Sequence, residues 1–234
     1  MGAIFGIAGS YANTEPQRMR DTLASRSKGE CRIAEFPGGC IGAFPTGSES
    51  SGFFKSSDTA AAAMDGYLNN GLSAESLLDP GSDLSESAGL HATACFDLTR
   101  GSLILRRDPS GARPLYWVRT ATRLAFASDP AALVILDDVP RELNPDAVVM
   151  YAAMICPPDP FTIYRTIEML RPGHELVFTG NQIEIRRFWN PPWAPSGSAP
   201  DPVELAGKLR RSMEDAVKDA LPDSLEDTGF FLSG

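Results

Sequence analysis

The chain has 234 residues, 43% of them hydrophobic and 22% charged, which is enough apolar material for a sizeable buried core. Its formal charge of −9 offers no basic footprint for nucleic acid or an anionic membrane, so neither is expected as a partner. No apolar run approaches the roughly 18 residues of a membrane span, no export signal opens the chain, and four cysteines without a Cys-x-x-Cys or Cys/His cluster argue against zinc and for reduced thiols in an intracellular, cytoplasmic protein.

Residues 3–9 are short, apolar and punctuated by glycine, which predicts a buried strand. Pro16–Arg26, with Met19 and Leu23 among polar residues, predicts a short helix. From Cys31 to Phe44, apolar stretches are cut by Pro37-Gly38-Gly39, giving two strands and a turn. Thr46–Gly52 has the composition of a loop. Ala60–Leu68 is ambiguous: its alanine run favours helix, while Asp65-Gly66 reads as a turn after a short strand. "HATACFDL" and "SLILRRD", joined by Thr99-Arg100-Gly101, predict a hairpin. "RPLYWVRT" and "RLAFASD" predict another, with Ala121-Thr122 at its turn. Asn144 followed by Pro145 is a helix-start signal, and that helix is expected to stop at Cys156. Residues 162–189 predict a short strand or helix, a Pro172-Gly173 turn, and two strands paired across Thr179-Gly180-Asn181. Many strands with few helices argue for an α+β fold.

Residues 190–202 hold five prolines among small residues and read as a semi-rigid linker. Beyond it, Val203, Leu205, Leu209, Met213 and Val217 lie at helical spacing, predicting an amphipathic helix. The expected organisation is a domain over 1–189, a linker over 190–202, and the start of a second domain over 203–234.

In this order the pieces resemble the asparagine-synthetase-like family. "LRRDPSGARPLYW" (105–117) is similar to that family's Arg-Asp-x-x-Gly-x-x-Pro-Leu-Tyr stretch, "LAFASDPAAL" to its Phe-Ala-Ser-Glu segment, and "IEMLRPGHELVF" to its Leu-x-Pro-Gly-His stretch. The resemblance implies a class II glutamine amidotransferase domain with an N-terminal-nucleophile-hydrolase fold, a sandwich of antiparallel sheets with helices. The first helix and strand of an α/β synthetase domain would follow. Asp108, Gly111 and Arg113 are expected to hold a loop rather than touch substrate.

The resemblance also allows the glutamine pocket to be checked residue by residue. The family begins Met-Cys-Gly-Ile, and its cysteine attacks glutamine with the chain's own α-amine as base. "FGIAG" is similar to that start, which puts Phe5 at the nucleophile's place. The family's Asn-Gly-Glu stretch resembles Asp65-Gly66-Tyr67, where an ionised Asp65 has no donor for an oxyanion. The family's Arg-Leu-Ser-Ile stretch would fall near "GCIGAFPTG", which has no arginine to clamp a glutamine carboxylate, and the aspartate that binds the α-amine has no match. No catalytic residue for glutaminase chemistry is expected in the chain.

Leu232-Ser233-Gly234 resembles the strand entering the family's pyrophosphatase loop, Ser-Gly-Gly-x-Asp-Ser, where backbone N–H groups cradle phosphate. The resemblance therefore implies ATP and Mg²⁺ as cofactors, held mainly by residues beyond this stretch. The implied enzyme is an ATP-dependent ligase that adenylates a carboxylate for attack by a substrate amine. Lasso peptide isopeptide cyclases and β-lactam synthetases are members without the cysteine, and the cyclase is favoured. The implied partners are a peptide or small amine/carboxylate substrate and a leader-peptide protease or recognition protein. A glutamine-hydrolysing asparagine synthetase and a non-catalytic peptide-binding module are the alternatives.

Overall fold

The computed structural model describes residues 2–27, 29–45, 54–68, 89–191, 201–221 and 229. Two compact units divide the chain, Met1–Asn190 and Pro191–Gly234.

The first unit is built from twelve strands among its described residues: β1 (Ala3–Gly9), β2 (Arg32–Phe36), β3 (Gly39–Phe44), β4 (Phe54–Ser56), β5 (Ala60–Leu68), β6 (Gly89–Asp97), β7 (Ser102–Arg107), β8 (Tyr116–Arg119), β9 (Arg123–Ala127), β10 (Ile167–Met169), β11 (His174–Thr179) and β12 (Gln182–Arg187). They form two six-stranded antiparallel sheets, ordered β10-β8-β9-β1-β3-β2 and β12-β11-β7-β6-β5-β4. Three helices accompany them: α1 (Glu15–Ala24), α2 (Ala131–Val134) and α3 (Pro145–Met154).

The sequence pattern explains the layering. Along β1 the even positions Ile4 and Ala8 join Ile41, Ala63, Ala94, Phe96 and Leu105 in the core between the sheets. The odd positions Ala3, Phe5 and Ile7 face the other way, packing with Met19, Leu23 and Leu133 of the helices. A period of two thus sends one strand's side chains into two separate cores. The buried pair Arg123–Glu15 ties β9 to α1, with Nη1 2.6 Å from Oε2.

Ala60–Leu68 is neither helix nor turn but a nine-residue strand. Ala61 and Ala63 lie in the inter-sheet core, while Ala62 and Met64 face outward. Tertiary pairing with β6 along the whole stretch overrides alanine's helix preference. Gly66 passes through it at φ +113°, and a Cβ there would stand 1.9 Å from the Leu90 carbonyl oxygen. The glycine therefore permits close backbone approach inside a strand rather than a chain reversal.

The helix-start signal at Asn144 holds, since its side chain accepts bonds from the Asp146 and Ala147 N–H groups. In the second unit, α4 (Pro202–Ala220) is capped by Asp201, and Leu205, Leu209, Met213 and Val217 are exposed along it. Leu232, Ser233 and Gly234 lie outside the described residues. Among the described residues no helix is long and apolar enough to cross a membrane.

Candidate functional site

A cavity of about 530 Å³ opens at the end of the sandwich where β1 begins. Gly2 and Ala3 bring β1 to its wall, Asp65 brings β5, and Arg113 brings the β7–β8 connection. Ser128 follows β9, and Tyr116 and Tyr164 supply aromatic surface.

Each group is positioned by its element. The β1 backbone clasps Ser128 from both sides: Ile4 N–H donates to Ser128 Oγ at 2.9 Å, and Ser128 N–H donates to the Ile4 carbonyl at 2.8 Å. The Ser128 hydroxyl lies 3.4 Å from Asp65 Oδ2 and donates to it. Asp65 is buried, and its Oδ1 is 3.7 Å from Arg113 Nη1. Start of β1, middle of β5 and the β7–β8 connection therefore meet in one polar chain.

The β7–β8 connection is held rigidly below its tip. Asp108 Oδ1 accepts from Ser110 N–H at 2.9 Å and Ala112 N–H at 3.3 Å, and Oδ2 accepts from Arg113 N–H at 3.2 Å. Buried Arg107 donates to the Gly111 carbonyl at 2.7 Å, the Arg113 carbonyl at 3.0 Å, the Leu170 carbonyl at 2.7 Å and Asp159 at 2.9 Å. Asp108 and Gly111 hold the loop, as expected. Arg113 departs from that expectation: its backbone is part of the scaffold, but its guanidinium faces the cavity. A second arginine at the wall, Arg26, pairs with Asp129, whose Oδ1 accepts from Ala131 N–H at 2.8 Å.

Phe5 does not reach the cavity. It is fully buried on the helix side of β1, three residues beyond the cavity wall. The expectation that Phe5 occupies the nucleophile's place is corrected: Gly2 lines the cavity, and Met1-Gly2-Ala3-Ile4 falls on Met-Cys-Gly-Ile without any offset. The unshifted frame was the available signal, since it matches Met and Ile at once. Of the degenerate-pocket residues, Asp65 is at the wall, whereas Gly66 and Tyr67 are absent from its described lining. The expectation of no arginine near a substrate carboxylate is likewise corrected by Arg113 and Arg26, neither of which comes from "GCIGAFPTG".

No cysteine is among the described lining residues. Cys40 is buried among apolar groups, and that burial pushes its thiol up to about 12. Burial raises Cys31 to about 11. His91 is adjacent in β6 to the residue opposite Asp65, but alternation turns it to the outer face with Cys95, while Ala92 and Ala94 face inward. Burial lowers the His91 pKa to about 4, so its imidazole is neutral at pH 7. Burial also raises Tyr116, with Asp129 adding to the effect. The cavity can bind and orient a ligand, but its described lining carries neither thiol nor imidazole.

A family profile for a glutamine amidotransferase domain matches residues 76–189. A putative glutamine-hydrolysing asparagine synthetase 2 of Methanocaldococcus jannaschii is 28% identical over 155 residues, which is 64% of this chain and 30% of that protein. Asparagine synthetase 3 of Bacillus subtilis is 26% identical over 103 residues, 44% of this chain and 17% of the relative. The chain thus spans less than a third of the length of these curated relatives. In structure, the glutamine phosphoribosylpyrophosphate amidotransferase of B. subtilis superposes with a TM-score of 0.53 at 16% identity, over 80% of this chain and 49% of the other. That likeness concerns the fold, a sandwich of antiparallel sheets of the N-terminal-nucleophile-hydrolase kind. Fold, profile and relatives together make the first unit an asparagine-synthetase-like glutamine amidotransferase domain.

Proposed function

We propose that this domain no longer splits glutamine and instead serves an ATP-dependent amide-forming enzyme whose amine comes from its substrate. The observation that carries the reading is the head of the cavity. Gly2, which has no side chain, stands where the family resemblance calls for cysteine, and Asp65 stands where it calls for an oxyanion-binding asparagine. Removing one oxyanion donor costs about 10²–10³ in rate, and removing a nucleophile costs up to about 10⁶. A carboxylate paired with Arg113 and bonded by Ser128 is an acceptor, not a donor.

Within that class, isopeptide-bond formation in a lasso peptide is the favoured substrate reading, with β-lactam ring closure beside it. Both join an amine already present on the substrate to an activated carboxylate and need no ammonia. ATP and Mg²⁺ belong to the same proposal. The residues assigned to them, Leu232, Ser233 and Gly234, lie outside the described residues.

The test is mass spectrometry of the full-length protein with ATP, Mg²⁺ and candidate peptides. Loss of one water from a peptide supports the reading. A second reading, glutamine-hydrolysing asparagine synthesis, is favoured by the names of the relatives. It expects glutamate release coupled to asparagine formation.

A further inference from the structure

The cavity has kept its shape while its polarity has changed. A volume of about 530 Å³ is in the range that takes one or two residues of a ligand. Its two arginine–carboxylate pairs differ in kind. Asp129 is committed, capping α2 through Ala131 N–H as well as pairing with Arg26. Asp65 faces Arg113 through one long contact of 3.7 Å rather than a two-pronged one, and the Arg113 side chain is 21% exposed. Arg113 is anchored through its backbone by Asp108 and Arg107, so its guanidinium can leave Asp65 without unfolding the loop. A single-contact pair of this exposure is weak.

A carboxylate ligand would meet Asp65 and Asp129 on the same wall. An ammonium would meet a buried carboxylate with lone pairs to spare, beside a backbone at Gly2 that puts no side chain in the way. A buried carboxylate held by a loosely paired, solvent-reaching arginine is a cation site with an exchangeable counter-ion. The cavity at the other end of the sandwich, about 290 Å³, offers no such exchange, because its Asp97 is occupied by Thr99 and Arg100 N–H groups.

We propose that the cavity beside Asp65 receives a primary ammonium group of the substrate, which displaces the Arg113 guanidinium as counter-ion of Asp65. This rests on the reading above, in which the amine belongs to the substrate. The ammonium is that of a peptide amino terminus or of a lysine side chain.

The test is calorimetry on the full chain with four probes: tetra-alanine amide with a free amino terminus, its N-acetylated form, Nα-acetyl-lysine amide, and N-acetyl-tetra-alanine with a free carboxylate. A free-amine probe is expected to bind and its acetylated counterpart to be silent, and whichever free-amine probe binds names the source. Asp65→Asn is expected to weaken that binding at least tenfold. Arg113→Gln is expected to strengthen it at least threefold, because the competing cation is gone, and this variant decides the matter if Asp65→Asn fails to fold. Equal binding of acetylated and free forms, binding of the carboxylate probe that Arg113→Gln abolishes, or no binding of either amine at millimolar concentration would each overturn the proposal. Glutamate release is measured in the same samples with added glutamine. Its appearance counts against the non-hydrolysing reading, whereas its absence with no amine binding overturns only this inference.

Discussion

The ring of Phe5 lies directly over the α-carbon of Gly42, its partner across the β1–β3 pairing: a Cβ at residue 42 would stand 2.2 Å from Phe5 Cζ. Phe5 is fully buried and cannot swing aside. Gly42→Ala is therefore expected to overpack the helix-side core and lower stability by about 1–3 kcal/mol. Phe5→Cys, which empties the same space, is expected to cost about 3 kcal/mol. Urea unfolding followed by circular dichroism measures both.

The same relationship separates Phe5 from the cavity, and alkylation makes the separation measurable. A Gly2→Cys protein carries its new thiol at the cavity wall and is expected to react with iodoacetamide faster than Cys40, whose pKa is pushed up to about 12 by burial. In folded Phe5→Cys the new thiol is sealed in the core and is expected to stay unmodified. Peptide mapping by mass spectrometry reads both sites. Equal labelling at 2 and 5 would mean that β1 is shifted or turned relative to the strand described here.

His91 sets a pH dependence of stability. Burial lowers its pKa to about 4, with Asp108 opposing that shift and Arg106 adding to it. Between about 6.5 and 4 the unfolded chain holds a proton that the folded chain does not, so stability is complete above this window and falls as pH drops through it. From pH 7 to pH 5 the loss is expected to be about 2 kcal/mol, and His91→Gln is expected to remove most of it. Glu15, held low chiefly by its bond from Arg123, contributes only further down. Its share is present above the ordinary carboxylate value of about 4.3 and is lost as pH falls below it. Urea midpoints at the two pH values, with and without the substitution, check the assignment.

Arg107 is the post on which the β7–β8 connection hangs. Its guanidinium serves Asp159 and the carbonyls of Leu170, Gly111 and Arg113. Arg107→Met leaves three carbonyls and a carboxylate without that donor and is expected to cost about 3–5 kcal/mol. Gly111 sits at φ +67°, and a Cβ there would lie 2.7 Å from Pro172 Cγ and 3.2 Å from Arg107 Nη2. Gly111→Ala is thus expected to loosen the same loop and, with it, the placement of Arg113. Hydrogen exchange at Ala112 and Arg113 amides, both donors to Asp108, reports the change.

The strand hairpins were legible because local signals and global packing agree in them. Ala121-Thr122 lies between β8 and β9, and Thr179-Gly180-Asn181 spans the β11–β12 turn, as their turn chemistry implies. Asn144-Pro145 marked a helix start for the same reason. Ala60–Leu68 was not legible: its local preference is helical, and only a neighbour 30 residues away in sequence makes it a strand. The site divided in the same manner. Asp65 was found through a short motif, whereas Arg113 was assigned to scaffolding because its backbone is scaffold and only its guanidinium is not. Gly2 was missed because a residue without a side chain draws no attention, and the more conspicuous Phe5 took its place in the comparison of motifs.

Glutamine turnover by the full chain, followed as glutamate by a coupled dehydrogenase assay against a Gly2→Cys/Asp65→Asn double variant, bears most directly on the loss of glutaminase chemistry. With Gly2 and Asp65 in place, glutamate is expected to form no faster than in buffer. Steady release by the unaltered chain, above buffer and proportional to protein concentration, would mean that another group in the cavity attacks glutamine and that the proposed function is wrong.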